Sequence, residues 1–461
     1  MSALTDHNQD VPPSDRKVRV LLIAEEANPQ WTSVPLLGWC HSQMIRECCD
    51  AHLVTQIRNR DAITAAGLKE GEHFTAIDSE AVARIVYKVI GWLRGGPDKG
   101  WTTVTALNSI AYYYFESLVW KQFRSQLERR EFDLVHRLTP LSPATPSLIG
   151  RRCHRLGVPF VLGPLNGGVP WPKSFAAERR KEGEWLSYVR SLYKLLPGYS
   201  STRRCASAIL IGSRVTWNQM PARYHPKCVY VPENGVDPTR FAEPRDERRD
   251  GPLRLVFIGR LVPCKGTDML VEAVTELAQR KLVSLDIFGD GPMMPQLQTM
   301  VADRSLADSV RLHGWIAHEQ LQDRLRQAQL LTFPSIREFG GGVVVEAMAM
   351  GIVPVVVNYG GPADLVTDRT GYLVELGTRE QIISRFRQVL TRIANDPTPL
   401  FNKRRAALRR VETSFTWKVK ARQSHEVYRW VLGLRNKPDF GMPIPDREPV
   451  QVLESTSTAS A

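Results

Sequence analysis

The sequence predicts an α/β protein made of two doubly wound parallel-sheet domains in tandem, and three observations carry that prediction. Short apolar, β-branched runs alternate with helix-length patterns almost throughout, which is how βαβ units read. The runs are continuous rather than alternating in and out, as strands covered on both faces are. With 461 residues, the chain is long for one core and comfortable for two.

In the first half the expected strands are Val18–Ile23, Leu53–Ile57, Phe132–Val135, Pro159–Gly163, Ala208–Gly212 and Cys228–Val231. In the second half they are Arg254–Gly259, Ser284–Gly289, Val310–Gly314, Leu330–Pro334 and Val353–Asn358. The charged stretch Glu243–Asp250 (EPRDERRD) reads as a linker between the halves. The division is a flexible start over 1–16, one domain over 17–245, a second over 246–412, a helical segment over 413–437, and a Pro/Ser/Thr-rich disordered tail over 438–461. Ligands of such sheets bind at the carboxyl ends of the strands, so the cleft between the two domains is the expected site.

The chain carries 61 Lys+Arg against 48 Asp+Glu, a net of +13. The excess is uneven: −2 over residues 1–100, +10 over 101–250, −1 over 251–400 and +6 over 401–461. An anionic partner is implied, facing the middle block and the C-terminal segment rather than 251–400. Nucleic acid is not expected, because no recognisable binding module accompanies the charge. The 7 cysteines show no CxxC pair, which argues against a zinc knuckle or disulfide framework and for a reducing cytosol. The first 16 residues lack the apolar core of a signal peptide. No apolar run approaches the ~18 residues of a membrane span. The expected location is the cytoplasm, free or peripheral on the inner face of the membrane.

Two loops stand out. The first, Gly259-Arg260-Leu-Val-Pro-Cys-Lys265-Gly266, follows a strand and places two cations on a strand-to-helix turn. Such a pair can neutralise a diphosphate, the guanidinium as a planar fork and the ammonium as a point charge. Two solvated surface cations would give the same pattern. The second, Glu338-Phe339-Gly340-Gly341-Gly342-Val343-Val-Val-Glu346, carries three glycines from a strand into a helix. Glycines allow close backbone approach, and a helix N-terminus offers N–H groups to phosphate. Glu338 and Glu346 can flank a ligand seated on that loop and accept hydrogen bonds from sugar hydroxyls.

These loops belong to an ordered series: Asn234-Gly-Val-Asp237, GRLVPCKG, Ile287-Phe-Gly-Asp290-Gly-Pro, Leu312-His-Gly-Trp315, the Glu-x7-Glu segment and Gly360-Gly361-Pro. The series resembles the retaining glycosyltransferases of family 4 (glycosyltransferase group 1), which have the GT-B fold. The resemblance implies two Rossmann-like domains facing a cleft and a donor substrate that is a UDP-sugar or GDP-sugar. It implies that Arg260 and Lys265 bind the diphosphate beside Gly259, that Glu346 holds the ribose, and that Glu338 holds the transferred sugar. It implies that Phe339, Gly340, Gly341, Gly342 and Val343 form the donor loop, and that Gly314, Trp315 and Ile316 meet the base. No metal or other cofactor is expected, since the family places cations and a helix dipole where other enzymes use Mg²⁺.

In the first half, Phe132-Asp-Leu-Val-His136 resembles the family's strand that ends in a cleft-lining histidine, and His136 is accordingly a candidate catalytic residue. A histidine capping a strand end is the alternative. Gly163-Pro-Leu-Asn166-Gly167-Gly168 resembles a Gly-rich loop of one bacterial branch; a plain turn and an acceptor-facing role both fit. The sequence departs from the family after its first strand. Many members carry a Gly-Gly loop there, but this chain has Glu25-Glu-Ala-Asn-Pro-Gln-Trp31 and no glycine before Gly38.

Arg84–Arg94 and Arg179–Leu196 mix cations with apolar residues at helical spacing. They fit helices lying in a membrane interface and equally fit core-facing helices with solvated outer faces. The stretch from Phe415 to Trp430 resembles the family's last helix, which crosses back to the first domain. Lys418, Lys420 and Arg422 would then join the basic face. The expected function is sugar transfer from a nucleotide sugar to a glycan or polyprenyl-diphosphate-linked acceptor, with an anionic membrane surface as a further partner. A sugar-nucleotide epimerase and a non-catalytic sugar-nucleotide-binding protein are the alternatives.

Overall fold

A computed structural model of the chain describes residues 16–81, 84, 101–181, 193–240 and 251–440. The expected linker Glu243–Asp250, the basic stretch Arg84–Arg94 beyond Arg84 and the tail after Phe440 lie outside the described residues, as does most of Arg179–Leu196.

The first sheet contains β1 (Arg19–Ala24), β2 (Asp50–Gln56), β3 (Phe74–Ile77), β4 (Leu134–Thr139), β5 (Phe160–Leu165), β6 (Ala208–Ile211) and β7 (Cys228–Tyr230). Their order is β3-β2-β1-β4-β5-β6-β7, and every pairing is parallel. The second sheet contains β8 (Leu253–Ile258), β9 (Val283–Phe288), β10 (Val310–Gly314), β11 (Leu330–Phe333), β12 (Val353–Val357) and β13 (Tyr372–Val374). Its order is β10-β9-β8-β11-β12-β13, again parallel throughout. The continuous apolar runs are explained by burial: every residue of β4, β5, β11 and β12 is buried. The short strands β3 and β13, at sheet edges, have no counterpart among the expected ones.

In each sheet the strand order reverses once, between β1 and β4 in the first and between β8 and β11 in the second. Loops leaving two strands at such a switch diverge and leave a crevice at the carboxyl ends. The second of these crevices receives both loops singled out from the sequence.

The chain returns to the first domain through the helix Trp417–Val431, which packs against the helix Val34–Cys48. Thr416 caps it, its hydroxyl accepting from the Val419 N–H at 3.2 Å. The Asn-Gly-Val segment seats its start. Val236 pairs with Phe415 and Trp417 by two backbone hydrogen bonds of 2.8 and 3.1 Å. Gly235 is required there because a Cβ would stand 2.6 Å from the Trp417 ring. Lys418 and Arg422 are exposed, but Lys420 is buried and does not join a basic face as expected. It lies on the side of the helix that faces the domain. Among the described residues, no helix is long and apolar enough to cross a membrane.

Candidate active site

The turn Pro263–Lys265 follows β8 and closes on Gly266, whose φ of +67° lies in the left-handed region. The loop after β11 grips this turn: the Ile336 N–H and the Ser335 hydroxyl donate to the Cys264 carbonyl at 2.9 and 3.3 Å. That contact sets the Lys265 ammonium directly on the Glu338 carboxylate. Burial, the largest influence on each, opposes both charges. The partner's opposite charge and the hydrogen bonding together outweigh it, so Glu338 is held below the usual carboxylate range and Lys265 above its ordinary value. The backbone N–H groups of Gly340 and Gly341 help to lower Glu338 as well.

The helix Gly342–Ala349 begins from Gly341, whose φ of +71° a side chain would resist. Its first turn leaves unpaired N–H groups and a positive dipole end beside the glycines. Val343 and Glu346 are half-buried along it. Hydrogen bonds Gly259 N–H to Phe288 O (3.0 Å), Leu261 N–H to Asp290 O (2.9 Å) and Gly289 N–H to Gly314 O (2.8 Å) knit the ends of β8, β9 and β10. Gly314, Trp315 and Ile316 are thereby held on the same edge as Gly259 and Arg260. Trp315 is 75% exposed. The structure thus brings Arg260, Lys265, Glu338, the glycine loop and Glu346 to adjoining loops, with the Gly314–Ile316 segment alongside.

His136 is elsewhere. The strand does not end at Val135 but continues to Thr139, still paired with β1 and β5, so His136 sits mid-strand in a sheet covered on both faces. It is fully buried, with Nε2 2.6 Å from the Gly163 carbonyl and Nδ1 2.6 Å from the Tyr428 hydroxyl. A carbonyl only accepts, so Nε2 carries the proton and Nδ1 accepts from Tyr428. His136 is therefore a core residue pinning the last helix, not a cleft residue.

Burial holds the His136 imidazole neutral, down to about 3. A lowered histidine contributes its full stability above the unfolded value of 6.5 and loses it as pH falls toward the folded value. His136→Gln removes that titration. Its destabilisation in urea unfolding is expected to be about 2 kcal/mol smaller at pH 5 than at pH 8. A difference that does not change with pH would contradict the neutral, buried assignment.

The Asn166–Ser174 loop after β5 reaches across to the second domain rather than forming a plain turn. Asn166 Nδ2 donates to the Phe339 carbonyl at 2.7 Å, Arg337 Nε donates to Val169 O at 3.2 Å, and the Tyr359 hydroxyl donates to Pro170 O at 2.9 Å. On the facing sheet, Glu25 and Glu26 follow β1 at the first switch point. Burial chiefly raises both, Glu25 to about 7. Glu233 and Asn234, between β7 and the second domain, were not singled out for the site. Asn234 Nδ2 donates to the Gly340 carbonyl at 2.7 Å, and Glu233 accepts from Asn166 at 2.8 and 2.9 Å. These contacts join residues 67 to 173 positions apart, which no local pattern encodes.

Residues 239–399 match the family of glycosyl transferases group 1. The glycosyltransferase match contains Arg260, Lys265, Glu338 and Glu346, and it leaves out His136 and Asn166. D-inositol 3-phosphate glycosyltransferase of Streptomyces avermitilis is 33% identical over 220 residues, 43% of this chain and 46% of that one. Amylovoran biosynthesis glycosyltransferase AmsK of Erwinia amylovora is 27% identical over 207 residues, 43% of this chain and 50% of that one. The chain thus spans about half the length of these curated relatives. Among solved structures, sucrose-phosphate synthase from Thermosynechococcus elongatus superimposes with a TM-score of 0.59, 16% identity and coverage of 91% of this chain and all of that one. Anabaena HepE in complex with UDP and glucose gives 0.55, with 16% identity over 89% of this chain and 98% of that one. The fold is the two-domain α/β architecture of GT-B glycosyltransferases.

Proposed function

We propose that this chain is a retaining, metal-independent glycosyltransferase of family 4. It moves a sugar from a UDP-sugar or GDP-sugar to a glycan or polyprenyl-diphosphate-linked acceptor. The observation that carries this reading is the Lys265–Glu338 pair on adjoining loops at the β8/β11 switch point. A cation for a diphosphate and a carboxylate for sugar hydroxyls stand in contact there, beside a glycine loop and a helix N-terminus. The group 1 match over this region and the UDP bound to Anabaena HepE support the donor class.

In the reaction, the bond between the anomeric carbon and the diphosphate oxygen breaks, and the electron pair leaves with the nucleoside diphosphate. Arg260, Lys265 and the glycine-loop N–H groups stabilise that developing charge, which is the task a metal performs elsewhere. The acceptor oxygen attacks from the same face, forms the new bond and passes its proton to the departing phosphate oxygen. Glu338 orients the sugar and Glu346 the nucleotide. The basic surplus over 101–250 and 401–461 supports an anionic acceptor at the inner membrane face.

A panel of UDP-sugars and GDP-sugars, with extracted lipid as acceptor and anionic vesicles present, tests the reading. One donor should raise the melting temperature, release nucleoside diphosphate, and give a product of unchanged anomeric configuration in EDTA. Inverted product or turnover abolished by EDTA would overturn the mechanism. Epimerised donor without transfer would indicate an epimerase, and binding without turnover a non-catalytic protein.

A further inference from the structure

We infer that Asn166, Asn234 and Glu233 are positioning residues that aim two backbone N–H groups of the donor loop, those of Gly340 and Gly341. The inference rests on the proposed sugar transfer for its kinetic consequences but not for its geometry.

In a trans peptide the C=O and the following N–H point in opposite directions across one rigid plane. Holding a carbonyl therefore aims the next N–H. Asn166 holds the Phe339 carbonyl at 2.7 Å, and Asn234 holds the Gly340 carbonyl at 2.7 Å. The N–H groups of the same two planes, on Gly340 and Gly341, turn the other way, toward the side of the Glu338 carboxylate, whose charge they help to hold. Three consecutive glycines offer little steric resistance to a flipped peptide. The two asparagines supply the restraint that the loop itself lacks.

Asn166 is itself over-determined. Its Oδ1 accepts from the Gly167 N–H and the Ser213 hydroxyl, both at 2.8 Å. Its Nδ2 faces only acceptors, the Phe339 carbonyl and both oxygens of Glu233 at 2.8 and 2.9 Å. An amide flip would set Oδ1 against these acceptors, so the donor end is fixed. Glu233 is fully buried and lies under the loop: a Cβ on Gly340 would stand 2.7 Å from its Oε1. Burial raises Glu233 to about 7 and lowers the buried Lys420 to about 7, and each partly counters the other's shift. Both asparagines and Glu233 thus come from the first domain, and Lys420 from the returning helix. Their common target is the second domain's donor loop, whose preaimed N–H groups hold the Glu338 carboxylate in place without reorganising.

The test uses the full chain with Asn166→Ala, Asn234→Ala, Glu233→Ala and Glu233→Gln, each checked for its melting temperature. Asn166→Ala and Asn234→Ala should lower kcat by about 10²-fold, the effect of losing one such donor, with the acceptor KM within about twofold of wild type. Glu233→Ala should follow them, while Glu233→Gln, which keeps an acceptor for Asn166, should recover most of the turnover. With ¹⁵N-glycine labelling, the Gly340 and Gly341 amide protons should move upfield in the asparagine variants as they leave Glu338. Unchanged amide resonances in folded variants, or turnover falling only with the folded fraction, would overturn the inference. If the wild type turns over no donor, the functional reading fails while the resonances still decide the peptide geometry. The two asparagines are separate substitutions, so a folding failure of one leaves the other to decide.

Discussion

Lys265→Ala lowers sugar transfer by at least about 10³-fold, equivalent to about 4 kcal/mol of lost transition-state stabilisation, in a protein that remains folded. The size follows from where the ammonium sits. It is held on the second domain's switch-point crevice by the Pro263–Lys265 turn, half-buried and paired with Glu338, where little water screens its charge. The fold survives because the partner left behind is not orphaned. Glu338 keeps the Gly340 and Gly341 N–H groups, so the cost of an unpaired buried carboxylate is only partly incurred. Lys265→Arg is not expected to restore full turnover, since a planar fork cannot replace a compact ammonium at this contact. Near-normal kcat/KM in Lys265→Ala would remove Lys265 from the reaction.

Gly361→Ala is expected to lower turnover by about 10²-fold. Gly361 lies behind the donor loop and donates its N–H to the Glu338 carbonyl at 3.0 Å. A Cβ there would overlap the Phe339 carbonyl oxygen and lie 2.6 Å from its carbon and 3.0 Å from the Gly340 oxygen. All three atoms are backbone, so the loop itself has to move. A displacement of about 1 Å is enough to cost that factor when reacting groups depend on placement. Gly67→Ala is the control: its φ is +94° but nothing lies within 4 Å of the added methyl, so it strains one turn and leaves turnover unchanged. Equal activity in the two variants would mean that the loop tolerates displacement.

Much of this was legible in the sequence, for physical reasons that also mark where legibility ends. Runs such as RLVFIG and VPVVVN are recognisable because central parallel strands are buried on both faces. The edge strands β3 and β13 are only partly buried and lack the continuous apolar run that marks even the three-residue β7, which is buried throughout. Lys265 and Glu338 were visible because each lies on a loop with its own glycine signature. His136 was misplaced by a strand boundary: His-Arg-Leu-Thr continues the ladder, and a histidine inside a central strand is core rather than cleft. Lys420 looked like any surface cation on a polar helix, and only the packing of that helix against the first domain reveals its burial. Asn166, Glu233 and Asn234 act across the cleft on backbone atoms of a distant loop, a relation that tertiary structure alone creates.

The central claim is that the donor's diphosphate sits between the β8 turn and the β11 glycine loop. Hydrogen–deuterium exchange with and without the stabilising nucleotide sugar tests it directly. Protection of peptides covering 259–266, 314–316 and 335–346, and its loss in Lys265→Ala, is the predicted result. Protection elsewhere, for example along the Arg16–Arg46–His73 pocket at the opposite end of the first sheet, with no change in those segments, would contradict the account.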